Sequence, residues 1–245
     1  MDTTTTWLIT GASRGLGLGL TRSLSASPSN IVIATCRNPA SASELNALQA
    51  DVRGRGQDNL RIVQLDVNDE ASIRASVAAV ERTLEGRGLD VLYNNAGIVS
   101  TAYLDGAFDC DYGHMMAILK TNVVAPALLG KAYLLLLDLG TRKTIVNVSS
   151  ARGSIGGCLD VRNAVYSLSK SALNMLSHKQ AIERPDLIVI SLCPGHVQTD
   201  LGESGGAKAP LTVEESVAGQ LHLVQGLTHE QSGRFWQYNG KDLLW

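Results

Sequence analysis

The sequence predicts an α/β protein: a doubly wound, mainly parallel sheet of about seven strands, flanked by helices. Three observations carry that expectation. Apolar, strand-length runs alternate with helix-length segments almost to the end of the 245 residues. Continuous runs such as Ile31-Val32-Ile33 and Ile188-Val189-Ile190 suit strands covered on both faces, as in a parallel sheet. A glycine-rich turn, Thr10-Gly11-Ala12-Ser13-Arg14-Gly15-Leu16-Gly17, joins the first apolar run to the first helix-like stretch.

In chain order, Trp7-Leu8-Ile9 centres a first strand at 6–10, and the glycine turn opens a helix at 16–26. A second strand at 30–36 leads to a helix at 41–53, and a third at 60–66 to a helix at 70–84. The fourth strand, 89–94, precedes a long helix at 112–137. The fifth, 143–150, precedes a helix at 164–183, and the sixth, 187–193, one at 213–227. A last strand is expected at 233–237. No Pro/Gly/Ser linker or repeat divides the chain, so residues 1–245 are expected to form one domain. The stretch 202–210, rich in Gly, Ala and Ser, follows a strand's carboxyl end, where such sheets bind ligands. A substrate loop is therefore expected around 196–212.

Composition excludes several classes. Hydrophobic residues make up 44% and charged residues 18%, ordinary for a chain with a sizeable core, and the net charge is −2. No basic excess argues for nucleic acid or an anionic membrane. The longest apolar runs are far short of the ~20 residues a bilayer span needs. The first residues, Met1-Asp2-Thr3-Thr4-Thr5-Thr6, do not read as a secretory signal. Cys36, Cys110, Cys158 and Cys193 fit neither a zinc site nor a disulfide framework, and free thiols in a reducing cytoplasm are expected. The five histidines, His114, His178, His196, His222 and His229, show no metal-ligand spacing, so no metal is expected.

The glycine turn bears on a cofactor. Side chains at Gly11, Gly15 or Gly17 would block the approach of a pyrophosphate to the backbone, and the helix start favours its charge. Dinucleotide folds that take NAD usually place an acid after the second strand. Here Cys36 and Arg37 stand there. With no carboxylate to repel a 2′-phosphate, Arg37 can pair with it and Arg14 can approach it, so NADP(H) is expected over NAD(H). Asp66-Val67, ending the third strand, suits the adenine amino group or a simple helix cap. Asn94-Asn95-Ala96-Gly97 is small enough for a ligand to lie against its backbone.

Tyr166 and Lys170 stand four apart, on one face of a helix. Reducing a carbonyl takes a hydride to carbon and a proton to the developing alkoxide. A free tyrosine titrates near 10, too high for easy exchange at neutrality. Lys170 and the nearby helix start should both favour the phenolate. A drop of three units would require roughly 4 kcal/mol from such effects together.

These motifs, with Ser149-Ser150, Tyr166-Ser167-Leu168-Ser169-Lys170 and Pro194-Gly195, occur in the order found in the short-chain dehydrogenases/reductases, which the chain resembles over nearly its whole length. The ending from Ser232 to Trp245 and the long gap before Tyr166 resemble the carbonyl-reductase branch that includes sniffer and C-factor-like proteins. The resemblance implies a Rossmann-type fold and a catalytic set of Asn122, Ser150, Tyr166 and Lys170. Tyr166 would be the general acid in reduction and the general base in oxidation, and Lys170 would bind the nicotinamide ribose. Ser150 would hydrogen-bond the substrate oxygen, with Ser149 as the alternative, because Ser150 and Tyr166 are sixteen residues apart, about three more than the family's usual spacing. Asn122 would hold a water linking the lysine to solvent. Ser13, Arg14 and Leu16 of the glycine turn, with Asn95, Ala96 and Gly97, would line the cofactor. Pro194 and Gly195 would set a sharp turn, with Val197 and Thr199 binding the carboxamide and presenting the pro-S hydride.

His196 falls near the expected substrate, with a loop histidine as the alternative reading, and Cys158 is a second candidate for that pocket, with a buried, inert thiol as its alternative. Tyr103, Phe108, Ile155, Leu159 and Leu201 are candidate apolar walls, suiting an uncharged or partly aromatic ketone or aldehyde. Apolar faces on the helices at 112–137 and 164–183 suit a homodimer or homotetramer. Serine hydrolysis is a poor rival, since no Gly-x-Ser-x-Gly elbow is present. The remaining alternatives are a pathway-specific ketoreductase of secondary metabolism and a cofactor-loaded signalling or sensor protein.

Overall fold

The computed structural model describes residues 4–99, 106–158 and 160–245. Tyr103 and Leu159 lie outside them. Seven strands among the described residues form one parallel sheet in the order β3-β2-β1-β4-β5-β6-β7. They are β1 (Thr5–Ile9), β2 (Asn30–Cys36), β3 (Leu60–Gln64), β4 (Val91–Asn94), β5 (Thr144–Val148), β6 (Ile188–Cys193) and β7 (Phe235–Gln237). Contacts group the chain into two compact units, Met1–Ala96 with Leu128–Ile145, and Gly97–Ala127 with Val146–Trp245.

In the first unit, β1 pairs with β2 and with β4, and β2 with β3. Trp7, Leu8, Ile9 and Ile33 are fully buried, as expected of strands covered on both faces. Helices α1 (Gly15–Ser25), α2 (Ser43–Gly54) and α3 (Glu70–Leu84) connect these strands, and Leu20 and Leu24 of α1, Leu45 of α2 and Val80 of α3 are buried on their inner faces. Asp69 caps α3, its carboxylate accepting from Ala71 N. Asp90, just before β4, is a second organising centre. Its carboxylate accepts from the N–H and hydroxyl of Thr6 (2.8 and 3.0 Å), the same groups of Thr141 (2.7 and 2.8 Å) and Arg142 N (3.1 Å). Burial works to raise its proton affinity, but these bonds to the charged form prevail and lower it.

In the second unit, α7 (Ala164–Glu183) lies between β5 and β6 in the chain, and α8 (Val213–Gln225) between β6 and β7. Thr212 and Glu215 form a reciprocal capping box on α8.

The single helix expected at 112–137 is broken. It is replaced by α4 (Tyr112–Leu119), a π-type turn at Lys120–Val124, α5 (Ala125–Ala132) and α6 (Leu134–Leu139), interrupted at Tyr133. Pro126 explains the first break: it has no N–H to give the carbonyl four residues back, that of Asn122. Ala125 N donates instead to Lys120 O, one residue further than an α-helix allows.

Candidate active site

In the first unit, the glycine turn is a close-packed cradle. Gly11 sits at φ +67, where a side chain is strained, and a Cβ there would lie 3.0 Å from Ala96 Cα. A Cβ on Gly17 would strike Gly11's carbonyl oxygen and approach Asn95 Nδ2 to 2.7 Å. Thr10 Oγ1 accepts from Asn95 N and Ala96 N, both at 3.0 Å, and Asn95 Nδ2 donates to Thr10 O at 2.8 Å. Ala12 N donates to Thr35 O (2.9 Å), tying the turn to the strand that leads to Arg37. Arg14 occupies the N-cap of α1 without a side-chain cap bond, and the first turn carries no acid. Ser13 and Leu16 are half-buried, and Arg14 and Arg37 are exposed. Asp66 does not cap α3, since Asp69 does; its carboxylate accepts from Asn68 N (2.9 Å). Val67 beside it is buried. Backbone exposed by glycine, an acid-free helix start and two exposed arginines fit an anionic dinucleotide.

In the second unit, Tyr166 and Lys170 are both buried on α7, only 8% and 4% exposed. Lys170 Nζ lies 5.5 Å from the centroid of the Tyr166 ring and donates to Val148 O at 2.7 Å. Ser150 hydrogen-bonds the Tyr166 side chain. Ser149 behaves differently. It is buried and donates to Asn174 Oδ1 at 2.6 Å, while Asn174 Nδ2 donates to Gly153 O at 3.1 Å. Asn122 is buried on the π-type turn. Its amide joins Ile98, accepting from Ile98 N (2.9 Å) and donating to Ile98 O (2.8 Å), and also donates to Ser169 Oγ (3.0 Å).

The electrostatics depart from the expectation for the tyrosine. Burial raises the Tyr166 phenol above its ordinary 10.0, a thiolate at Cys193 would add to the rise, and the bond with Ser150 and the charge of Arg152 only partly offset it. The reason is geometric: the ammonium of Lys170 is directed to a carbonyl and lies over the ring, so burial prevails. Burial pushes Lys170 itself down to about 8. Cys193, at the end of β6, is raised chiefly by burial, and its Sγ accepts from Ala151 N at 3.1 Å.

The turn after β6 is shaped by Gly195 at φ +85, where a Cβ would approach Leu211 Cδ1 to 2.5 Å. Pro194 O accepts from Ser216 Oγ (2.6 Å). Val197 bridges to Leu211, closing the loop that follows. Thr199 Oγ1 accepts from Gly202 N at 3.0 Å, and the His196 ring hydrogen-bonds Gly202 O at 2.8 Å, so both side chains brace that loop. Cys158 is exposed, its thiol directed to Asp160 O at 3.4 Å. Phe108, Ile155 and Leu201 are exposed. Gly97 opens the second unit at the end of the Asn94–Gly97 motif.

Sequence reasoning passed over Asn174, Ser169, Cys193 and Arg152. Only Cys193 had a signal, its place directly before Pro194-Gly195. Among the described residues, no group of three or more His, Cys, Asp or Glu side chains is placed to hold a metal. No described helix is long and apolar enough to cross a membrane.

A family model described as short chain dehydrogenase matches residues 5–209. An NADPH-bound carbonyl reductase from chicken fatty liver is 36% identical in sequence, with 99% of each chain covered and a TM-score of 0.89. Carbonyl reductase Sniffer of D. melanogaster is 33% identical, covering 99% of this chain and 100% of its own, also at a TM-score of 0.89. Norsolorinic acid ketoreductase of Emericella nidulans is 32% identical over 100% of this chain and 95% of its own length.

Proposed function

Because the chain belongs to the short-chain dehydrogenase family, a family of oxidoreductases, we propose that it is an NADPH-dependent reductase of a ketone or aldehyde carbonyl that also runs the reverse alcohol oxidation. The observation that carries this reading is the group of three in the second unit: Ser150 hydrogen-bonded to Tyr166, with Lys170 5.5 Å from the same ring.

Bound NADPH would supply the hydride. The chain's residues would do the rest. Tyr166, its phenol held protonated by burial, would donate its proton to the oxygen that becomes the alcohol. Ser150 would steady the charge on that oxygen. Lys170, at about 8, is mostly protonated at neutral pH and would keep a positive charge beside the phenol. In the first unit, Gly11, Gly15 and Gly17 would admit the pyrophosphate, Arg37 and Arg14 would pair with a 2′-phosphate, and Asp66-Val67 would meet the adenine. Asn95, Ala96 and Gly97 would line the cofactor, and Pro194, Gly195, Val197 and Thr199 would take the carboxamide. Asn122 would act through Ile98 and Ser169, the partners it bonds.

The exposed apolar side chains Phe108, Ile155 and Leu201 favour an uncharged or partly aromatic carbonyl. The likeness to a ketoreductase supports a second reading, a ketone formed within a biosynthetic pathway. A homodimer or homotetramer would use the exposed Leu168, Met175 and Ile182, seven residues apart along α7. The whole chain would serve as one cofactor-binding domain in the cytoplasm.

The test is titration of the purified protein with NADPH and NADH, followed by nicotinamide absorbance with aliphatic and aromatic carbonyls. Selective NADPH binding with consumption is expected, abolished in Tyr166→Phe while cofactor binding is retained. Undiminished turnover in Tyr166→Phe would defeat the proton-donor role, and binding without turnover would favour a sensor.

A further inference from the structure

The turn that follows Ser150 is fastened directly to α7. Gly153 N donates to Ser150 O at 2.8 Å, closing the turn Ala151–Gly153 on the serine, and Arg152 N donates to Ser150 Oγ at 3.2 Å. The far end of this turn rests on the helix. A Cβ on Gly153 would lie 2.7 Å from the carbonyl carbon of Lys170 and 2.9 Å from its oxygen, so only glycine lets the turn approach the helix backbone this closely. Two side chains of α7 then hold it there. Asn174 Nδ2 and Ser171 Oγ both donate to Gly153 O, at 3.1 and 2.9 Å.

Asn174 stands one turn beyond Lys170 and two beyond Tyr166, so the three share one face of α7. All three are buried, Asn174 at 3% exposure, whereas Ser171 is half-buried. Asn174 Oδ1 accepts from Ser149 Oγ at 2.6 Å, which leaves Nδ2 to face Gly153. The amide keeps that sense even without Ser149, because turning it over would set its oxygen against the Gly153 oxygen, acceptor against acceptor.

We propose that Asn174 is a positioning residue for Ser150: its amide seats the Gly153 end of the turn on α7, and the turn holds the Ser150 hydroxyl beside Tyr166 on that same helix. This rests on the reading of Ser150 as the group that steadies the substrate oxygen. Ser150 follows β5 while Tyr166 rides on α7, so the separation of their side chains depends on how this turn sits on the helix. A hydroxyl aimed at a developing charge is sensitive to such a displacement, since a misplacement of about 1 Å costs roughly a hundredfold in rate.

The experiment is a double-mutant cycle between Asn174 and Ser150 in the whole protein. It is read as kcat and KM at saturating NADPH, with the carbonyl that the wild type reduces fastest. Asn174→Ala is expected to lower kcat about tenfold and to leave the NADPH dissociation constant within about twofold. In Ser150→Ala, where no hydroxyl is left to place, adding Asn174→Ala should change kcat by less than about twofold. A loss of the same size in both backgrounds would mean that Asn174 serves the packing alone, and that result, or no loss in either, overturns the inference. Ser171→Ala removes the other donor to Gly153 O and disturbs the core less, so it decides the matter if Asn174→Ala does not fold. Its kcat should fall about threefold, and that loss too should vanish in Ser150→Ala; a loss that persists there, or no loss at all, overturns the inference. Ser150→Ala by itself separates the two readings. Wild-type turnover in that variant defeats the role of Ser150, whereas slow turnover there beside an unmoved Asn174→Ala defeats only the role of Asn174.

Discussion

The ammonium of Lys170 donates to the carbonyl of Val148 at 2.7 Å, at the end of β5, rather than standing open to solvent. A lysine buried in this way loses hydration that one carbonyl only partly replaces, and this pushes it down from 10.5 to about 8.

That shift has a measurable consequence for stability. Unfolding restores the ordinary value of 10.5, so between about 8 and 10.5 the unfolded chain binds a proton the folded chain has released. The stability linked to this group therefore rises as pH climbs through that window, and is lowest below it. Lys170→Met lacks the group and lacks the rise. The unfolding free energy of the wild type should gain on that of Lys170→Met between pH 8 and 10.5 by up to about 3 kcal/mol, read as a relative rise of its thermal midpoint. Parallel curves would show that Lys170 titrates normally.

The two adjacent serines should separate cleanly. Ser149 Oγ donates to Asn174 Oδ1 at 2.6 Å inside the second unit, so Ser149→Ala strands a buried acceptor. A loss of about 1–3 kcal/mol is expected, with kcat nearly unchanged. Ser150 is half-buried and bonded to Tyr166, so Ser150→Ala should leave the melting temperature within about a degree and cut kcat by roughly a hundredfold or more. Measuring both quantities in both variants checks the assignment, and a kcat loss confined to Ser149→Ala would reverse it.

Much of this was legible before any coordinates. The strand and helix pattern is carried by apolar periodicity, and α3 and α7 fall at the bounds expected of them. The helix expected at 112–137 failed because its apolar pattern continues through Pro126, and periodicity does not register a missing N–H. The motif residues could be placed because glycine, tyrosine and lysine are needed there for their own chemistry. Asn174, Asp90 and Arg152 were not legible, because each acts through partners distant in sequence or through a loop whose folding no local pattern encodes. The tyrosine's proton affinity was misjudged for a related reason. Spacing puts Lys170 on the same helix face, but only the structure shows its ammonium turned to Val148.

The glycine cradle makes a packing prediction. A Cβ on Gly17 would fall well inside contact distance of Gly11's carbonyl oxygen, which is backbone and cannot rotate aside. Gly17→Ala should destabilise the protein by about 1–3 kcal/mol and weaken dinucleotide binding at least tenfold, as the turn is forced open. Gly54→Ala is the control: it closes α2, and a Cβ there meets nothing within 4 Å. It should change the melting temperature little and leave binding alone. Calorimetric binding and a thermal melt on both variants decide the matter, and equal behaviour would mean the cradle is not tight.

Cofactor choice turns on Arg37, exposed directly after β2 where an NAD-preferring fold usually carries an acid. Its guanidinium can form charge-assisted bonds to a 2′-phosphate, while NADH has nothing there for it to grip. Arg37→Asp would replace attraction with repulsion toward the phosphate and offer a carboxylate to the free ribose hydroxyls. NADPH affinity should fall by one to two orders of magnitude, about 1.4–2.7 kcal/mol, while NADH affinity holds or improves. Arg37→Gln should lie between, losing the charge without adding repulsion. The direct measurement is the ratio of the two dissociation constants across the three proteins, taken at low and at raised salt. Because the pair is exposed, added salt should narrow the wild-type preference. A ratio that ignores both the substitution and the salt would place the discrimination elsewhere, with Arg14 at the N-cap of α1 as the next residue to change.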